Sequence, residues 1–204
     1  GNPSDIQALT NQVTISMWVN QDAGNWGFFS PLVNKWAGNG LYMAIDNYYD
    51  VSAQQQMNRV RWRVNGTTFI NSNVNVPYNT WHHIVCTYNG TQLRIYQNGV
   101  LTGSLNHTGT ITNNGVNLQI GRQANGLGNA QYDGRWDDVR IYNRALNPDE
   151  VMTLYNNNSV AFANAPLCEG STLQLSTPNI VGATYAWSGP NSFTSTAAVP
   201  PAIT

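Results

Sequence analysis

Apolar and polar residues alternate with period two along roughly residues 1–145. In Val13-Thr14-Ile15-Ser16-Met17-Trp18-Val19, the residues Val13, Ile15, Met17 and Val19 share one face. That is the pattern of a half-buried strand. Leu41-Tyr42-Met43-Ala44-Ile45-Asp46 follows a Gly38-Asn39-Gly40 turn. Arg59-Val60-Arg61-Trp62-Arg63-Val64 alternates as well, with three arginines opposite Val60, Trp62 and Val64. A half-buried strand with a solvated basic face accounts for it. A ledge of arginines for an acidic ligand is the other reading.

His82-His83-Ile84-Val85-Cys86-Thr87-Tyr88, then Asn89-Gly90, then Thr91-Gln92-Leu93-Arg94-Ile95-Tyr96-Gln97 reads as a hairpin. Asn-Gly suits a type I′ turn, where both central residues need positive φ. A second pair, Asn98-Gly99, leads into Val100-Leu101-Thr102, and Asn117 to Arg122 holds one more short strand. Many short strands with such turns predict an all-β sandwich.

One helix signal comes late. Asn147 can cap, Pro148 fits the first helical position, and Glu150 stands where a capping box needs it. Val151, Leu154 and Tyr155 then form an apolar stripe, and Asn156-Asn157-Asn158-Ser159 reads as a linker. Beyond it the chain turns to Pro, Ser, Thr and Ala, with short strands at Thr172–Ser176 and Thr184–Ser188. These signals divide the chain into a sandwich over 1–156 and a second unit over 157–204.

Composition narrows the function. Net charge is −1 and only 9% of residues are charged, so no basic stripe serves nucleic acid. Asn, Thr, Gln and Gly supply the polarity, a habit of surfaces outside cells. No apolar run approaches the roughly 20 residues that span a bilayer, and the opening Gly1-Asn2-Pro3-Ser4 carries no secretion signal. Cys86 and Cys168 are too far apart to read as a disulfide framework, and Cys86 reads as a buried, inert thiol. The 7 Trp and 10 Tyr leave aromatics over for stacking. Trp18, Trp62 and Trp81 are assigned to the core, and Trp36 with them.

Three segments resemble one family. They are Thr14 to Val19, the Trp81–Gly99 hairpin region, and Gly134-Arg135-Trp136-Asp137-Asp138-Val139-Arg140-Ile141-Tyr142-Asn143-Arg144-Ala145-Leu146 with Glu150 and Leu154-Tyr155. Their order and spacing are similar to laminin-G-like, concanavalin A-like lectin/glucanase jelly rolls of bacterial surface proteins. The family's usual first strand is absent or short. Cys168-Glu169-Gly170-Ser171 with Tyr185-Ala186-Trp187 resembles the opening half of a bacterial Ig-like (PKD-like) repeat. The resemblance implies a jelly roll plus a partial Ig-like unit, with the polypeptide continuing beyond Thr204. It also implies a secreted or cell-surface location, adhesin-like, in a larger protein. At Asp137 it implies a structural Ca²⁺, completed by Asp5 or nearby carbonyls, since calcium takes six to eight oxygens. The alternative is that one of Asp137 and Asp138 pairs with Arg140 or Arg144 while the other faces solvent.

Related sandwiches include hydrolases that cut with two carboxylates. Here Glu150 and Glu169 lie off the sandwich strands, and Asp46 and Asp50 flank a Tyr-Tyr pair read as a turn. His82 and His83 read as structural, and no nucleophile, phosphate-loop or zinc spacing appears. The expectation is therefore a non-catalytic domain that recognises a glycan or a surface protein. A structural spacer is the alternative, and a polysaccharide hydrolase is less favoured. Asn25-Trp26 in a Gly-rich loop, with Asp46, Asn47, Tyr48 and Tyr49 in another, are the expected contacts. There, aromatic faces sit beside oriented amides and carboxylates.

Overall fold

The computed structural model describes residues 4–23, 29–50, 54–123, 130–156, 162–163, 172–176, 185–189 and 192–202, without the side chains of 5, 48–50, 55–56 and 162–163. The chain forms two compact units, 1–151 and 152–204.

The first unit opens with a four-residue helix, α1 (Ser4–Gln7). Among the described residues ten strands follow: β1 (Val13–Gln21), β2 (Phe29–Trp36), β3 (Gly40–Asp50), β4 (Gln55–Val64), β5 (Ile70–Asn75), β6 (His82–Tyr88), β7 (Gln92–Gln97), β8 (Val100–Asn106), β9 (Gln119–Ile120) and β10 (Gly134–Tyr142). They make two antiparallel sheets, ordered β10-β1-β6-β7-β8 and β5-β4-β3-β2-β9, called here the β1 sheet and the β3 sheet. An all-β sandwich is the result, as the alternation predicts, consistent with the jelly roll that the family resemblance implies.

The core lies between the sheets. Val13, Ile15, Met17 and Val19 of β1 face Leu41, Met43 and Ile45 of β3 and Val60, Trp62 and Val64 of β4, all buried. Two tryptophans depart from their expected places. Trp18 points to the opposite face of β1, against the His83 ring at 5.2 Å between centroids. Trp81, 42% exposed, stands at the mouth of β6. Cys86 is fully buried, and burial pushes its thiol well up, which suits an inert core group.

The two Asn-Gly turns differ. Asn98 and Gly99 both have positive φ (49° and 80°), so the β7–β8 connection is the type I′ turn. At Asn89-Gly90 only the glycine is left-handed. Asn89 Oδ1 instead accepts hydrogen bonds from the N–H groups of Thr91 and Gln92, which widens that loop.

A second helix, α2 (Pro148–Tyr155), begins where its capping box lies. The Glu150 N–H donates to Asn147 Oδ1 and the Asn147 N–H donates to Glu150 Oε2, each at 2.9 Å. In the second unit the described residues form two short ladders. β11 (Phe162–Ala163) pairs with β12 (Leu175–Ser176), and β13 (Trp187–Ser188) pairs with β14 (Thr194–Ser195). Asn157–Ser159 of the expected linker and Cys168 lie outside the described residues.

Candidate functional site

The outer face of the β3 sheet gathers the chain's unusual side chains. Because Val60, Trp62 and Val64 turn inward, Arg59, Arg61 and Arg63 must turn outward. Register sets Arg59 beside Asp46, Arg61 beside Ala44, and Arg63 beside Tyr42 on β3. On the next strand Phe29 pairs with Asp46 and Asn34 with Tyr42. On the other side Asn71 of β5 pairs with Arg61.

The arginines lie down rather than standing in water. Arg61 Nη2 lies 2.5 Å from Asp46 Oδ2. Its guanidinium also sits over the Phe69 ring at 3.8 Å and the Phe29 ring at 4.9 Å. Phe29 and Phe69 remain 38% and 41% exposed, so two partly exposed phenyl rings border the cation. Arg63 covers Trp36 at 3.7 Å and Tyr42 at 4.7 Å. Trp36, Tyr42 and Ala44 thus form a small apolar cluster of their own, outside the main core, under that arginine. Such cation–π contacts are worth about 0.5–2 kcal/mol each. Phe69 also borders an open groove of about 470 Å³ between β5 and β8, shared with Asn73, Leu101 and Ser104.

Burial perturbs this face. It pushes the Asp46 carboxyl up to about 6, and the Arg61 charge and the Asn71 amide only partly offset it. Tyr42 is pushed up to about 12, first by burial and then by Asp46. Burial also pulls the Arg63 guanidinium below its usual value. The buried Nε atoms of all three arginines and Oδ1 of Asp46 and Asn71 have no hydrogen-bond partner among the described residues. Buried polar atoms in folded proteins are seldom left so.

The residues expected to bind are spread apart. Asn25 and Trp26 lie outside the described residues. Asp46, Asn47, Tyr48 and Tyr49 are not in a turn, because β3 runs through to Asp50 in register with β4. Asp46 is 2% exposed, beneath Arg61. Asn47 is committed to holding the sheets together. Its Nδ2 donates to Ser30 Oγ at 2.9 Å and its Oδ1 accepts from Gln21 Nε2 of β1 at 3.3 Å. The side chains of Tyr48 and Tyr49 lie outside the described residues. Sequence reading passed over Phe29 and Phe69. Phe69 directly precedes β5, which borders the arginine strand, while Phe29 begins β2, one strand further away beyond β3.

Asp137 stands exposed beside a bulge where β10 carries an extra residue opposite β1. Its Oδ1 accepts the Asp138 N–H at 2.7 Å, and Asp138, with φ of +50°, pairs with Arg140 at 2.8 Å. Arg144 pairs with Glu150 instead. Among the described residues no group of three carboxylate, imidazole or thiolate side chains converges. The Asp5 side chain is not described. Asp137 alone offers one carboxylate of the six to eight oxygens that calcium takes, so a site here would draw the rest from backbone carbonyls and Asp5.

On the β3 sheet the acidic residues are Asp46 and Asp50, both on β3. Four positions along a strand separate their backbones by about 13 Å. The Asp46 carboxylate is buried and bound to Arg61, and the Asp50 side chain lies outside the described residues.

Comparison with known proteins agrees with this architecture. Residues 2–152 match the family model described as the concanavalin A-like lectin/glucanases superfamily. The chain belongs to that superfamily. No curated protein matches it in sequence. Among solved structures it is similar to domain 4 of AbnA, a GH43 extracellular arabinanase of Geobacillus stearothermophilus, in complex with arabinotriose. The TM-score is 0.53 at 18% identity, covering 72% of this chain and 67% of that one. The CBM40 of the Ruminococcus gnavus IT-sialidase bound to α2,3-sialyllactose is similar at TM-score 0.56 and 15% identity, covering 74% and 85%. The SAP-like pentraxin of Limulus polyphemus gives 0.56 and 15%, covering 72% and 70%. At these identities the likeness is one of fold.

Proposed function

We propose that the jelly roll is a non-catalytic glycan-recognition domain of a larger secreted or cell-surface protein. The outer face of the β3 sheet is its contact surface. One observation carries the reading: Phe29 and Phe69 present half-open rings on either side of the Arg61 guanidinium. Sugar rings stack their C–H faces on such rings, while hydroxyl groups need fixed donors and acceptors beside them. The arginines supply the donors, and the Asp46 ion pair holds Arg61 in line. Domains of the same fold, from the arabinanase and the sialidase, are described with arabinotriose and sialyllactose bound. Asp46, 2% exposed and bound to Arg61, is shielded from a substrate, which supports binding without cleavage. A structural spacer has no use for two exposed phenyl rings on a sheet face. Residues 157–204 are read as the start of an Ig-like module.

The experiment is a glycan array followed by affinity electrophoresis. Wild type is compared with Phe29→Ala, Phe69→Ala, and the loop variants Trp26→Ala and Tyr48→Ala. A retained glycan whose binding drops about tenfold or more in Phe29→Ala or Phe69→Ala is the expected result, since one stacked ring is worth about 1–2 kcal/mol. Absence of binding to every glycan, or binding indifferent to both phenylalanines, overturns the assignment.

A further inference from the structure

We propose that the glycan taken by this face is acidic, carrying carboxylate groups that Arg59 and Arg63 receive. The inference rests on the glycan reading above and names its ligand class.

The chain holds 9 Lys and Arg in all, against 10 Asp and Glu. Three of those cations occupy alternate positions of one strand, about 7 Å apart at the strand's rise per residue. Among the described side chains one carboxylate, Asp46, faces them, and it is matched to Arg61. Arg59 and Arg63 have no carboxylate partner among the described residues; the other ion pairs there join Arg140 to Asp138 and Arg144 to Glu150. Among the described residues the face therefore carries two guanidinium groups without a carboxylate partner, in an otherwise charge-poor, slightly acidic protein.

Both are also partly withdrawn from water. Arg63 is pressed on Trp36 and Tyr42, and the Nε atoms of Arg59 and Arg63 are buried without an acceptor. A half-desolvated, unpaired cation is costly, and an incoming anion relieves that cost. Guanidinium presents a planar fork that matches a carboxylate through two parallel hydrogen bonds. The neutral parts of the ligand have Phe29 and Phe69 to lie on. Neutral sugar chains make no use of the excess charge, whereas a uronate or sialate chain uses both features at once.

The test is isothermal titration of the intact chain with two matched pairs: trigalacturonate against galactotriose, and α2,3-sialyllactose against lactose, each at low and high salt. The expected result is that at least one acidic member binds about tenfold or more tightly than its neutral counterpart, with the margin shrinking as salt rises. Arg59→Gln and Arg63→Gln narrow the acidic-to-neutral ratio, and Arg63→Lys falls between wild type and Arg63→Gln. Thermal melts check that each variant is folded, and the salt series carries the test if one is not. Equal or tighter binding of the neutral members overturns this inference and leaves the glycan reading standing. Binding of poly-glutamate with no binding of any sugar overturns both, as does a complete absence of binding.

Discussion

Asp46 Oδ2 and Arg61 Nη2 meet at 2.5 Å, yet burial outweighs their attraction and pushes the Asp46 carboxyl from 3.8 up to about 6. The folded protein thus holds that proton more tightly than the unfolded chain. Stability from this group is full below pH 3.8 and is lost as pH rises through about 6. A shift of this size corresponds to about 3 kcal/mol. Asp46→Asn cannot lose it. In urea melts, the unfolding free energy of wild type minus that of Asp46→Asn falls by about 2–3 kcal/mol between about pH 4 and pH 7. A pH-independent difference contradicts the assignment.

His83 acts in the opposite sense. Its Nε2 lies 2.9 Å from Ser16 Oγ inside the β1 sheet. Burial holds its pKa down at about 4, while Asp138 pulls upward and Arg140 adds to the depression. The contribution is present above pH 6.5 and is lost as pH falls through about 4. His83→Gln removes the titration. Relative to that variant, wild type loses about 2–3 kcal/mol on acidification from about pH 7 to pH 4. The two slopes overlap, so wild type has a flatter pH–stability profile than either single variant. A wild-type profile steeper than both refutes this pairing.

The sandwich was legible because its core strands obey a strict period of two. Val13 to Val19 and Val60 to Val64 read directly onto their faces, and the Asn147–Glu150 capping box is local chemistry. What alternation does not reveal is the partner strand. Asp46 reads as a turn residue until register sets it across from Arg59 and its carboxylate beneath Arg61. Asn47 reads as a ligand contact until Gln21, far away in sequence, takes up its amide. Phe29 and Phe69 lie forty residues apart on strands that are not neighbours, and only the sheet order β5-β4-β3-β2 brings both to Arg61. Trp18 and Trp81 went astray for a related reason. A large aromatic at the wrong parity or at a strand mouth has no core place to fill.

Trp62 ties one sheet to the other. It is wholly buried on β4, and its Nε1–H donates to the Thr87 carbonyl of β6 at 3.0 Å. Trp62→Phe keeps most of the ring and loses the hydrogen bond, with a small void. A cost of about 1–3 kcal/mol is expected. Trp62→Ala removes the ring too and costs about 3–5 kcal/mol. Urea unfolding that ranks wild type, Trp62→Phe and Trp62→Ala in that order agrees; equal losses in both variants show that the hydrogen bond alone matters.

The junction at Asn147 isolates a local contribution. Asn147 Oδ1 accepts one of the free N–H groups of the first turn, and Glu150 Oε2 returns the bond to the Asn147 N–H. Glu150 Oε2 also accepts from Arg144 Nη1 at 2.9 Å, and that bond, more than the backbone one, holds the carboxyl below its usual range. The Arg144 side chain is 40% exposed, so solvent screens the ion pair and its worth is at most about 1 kcal/mol. Asn147→Ala is expected to cost about 1 kcal/mol. Arg144→Ala is expected to cost less than Asn147→Ala, with a further loss in the double variant close to additive. Chemical denaturation at low and at high salt separates the two: the Arg144→Ala loss shrinks with salt, while the Asn147→Ala loss, being a neutral hydrogen bond, persists. A salt-sensitive Asn147→Ala loss overturns the cap as its source.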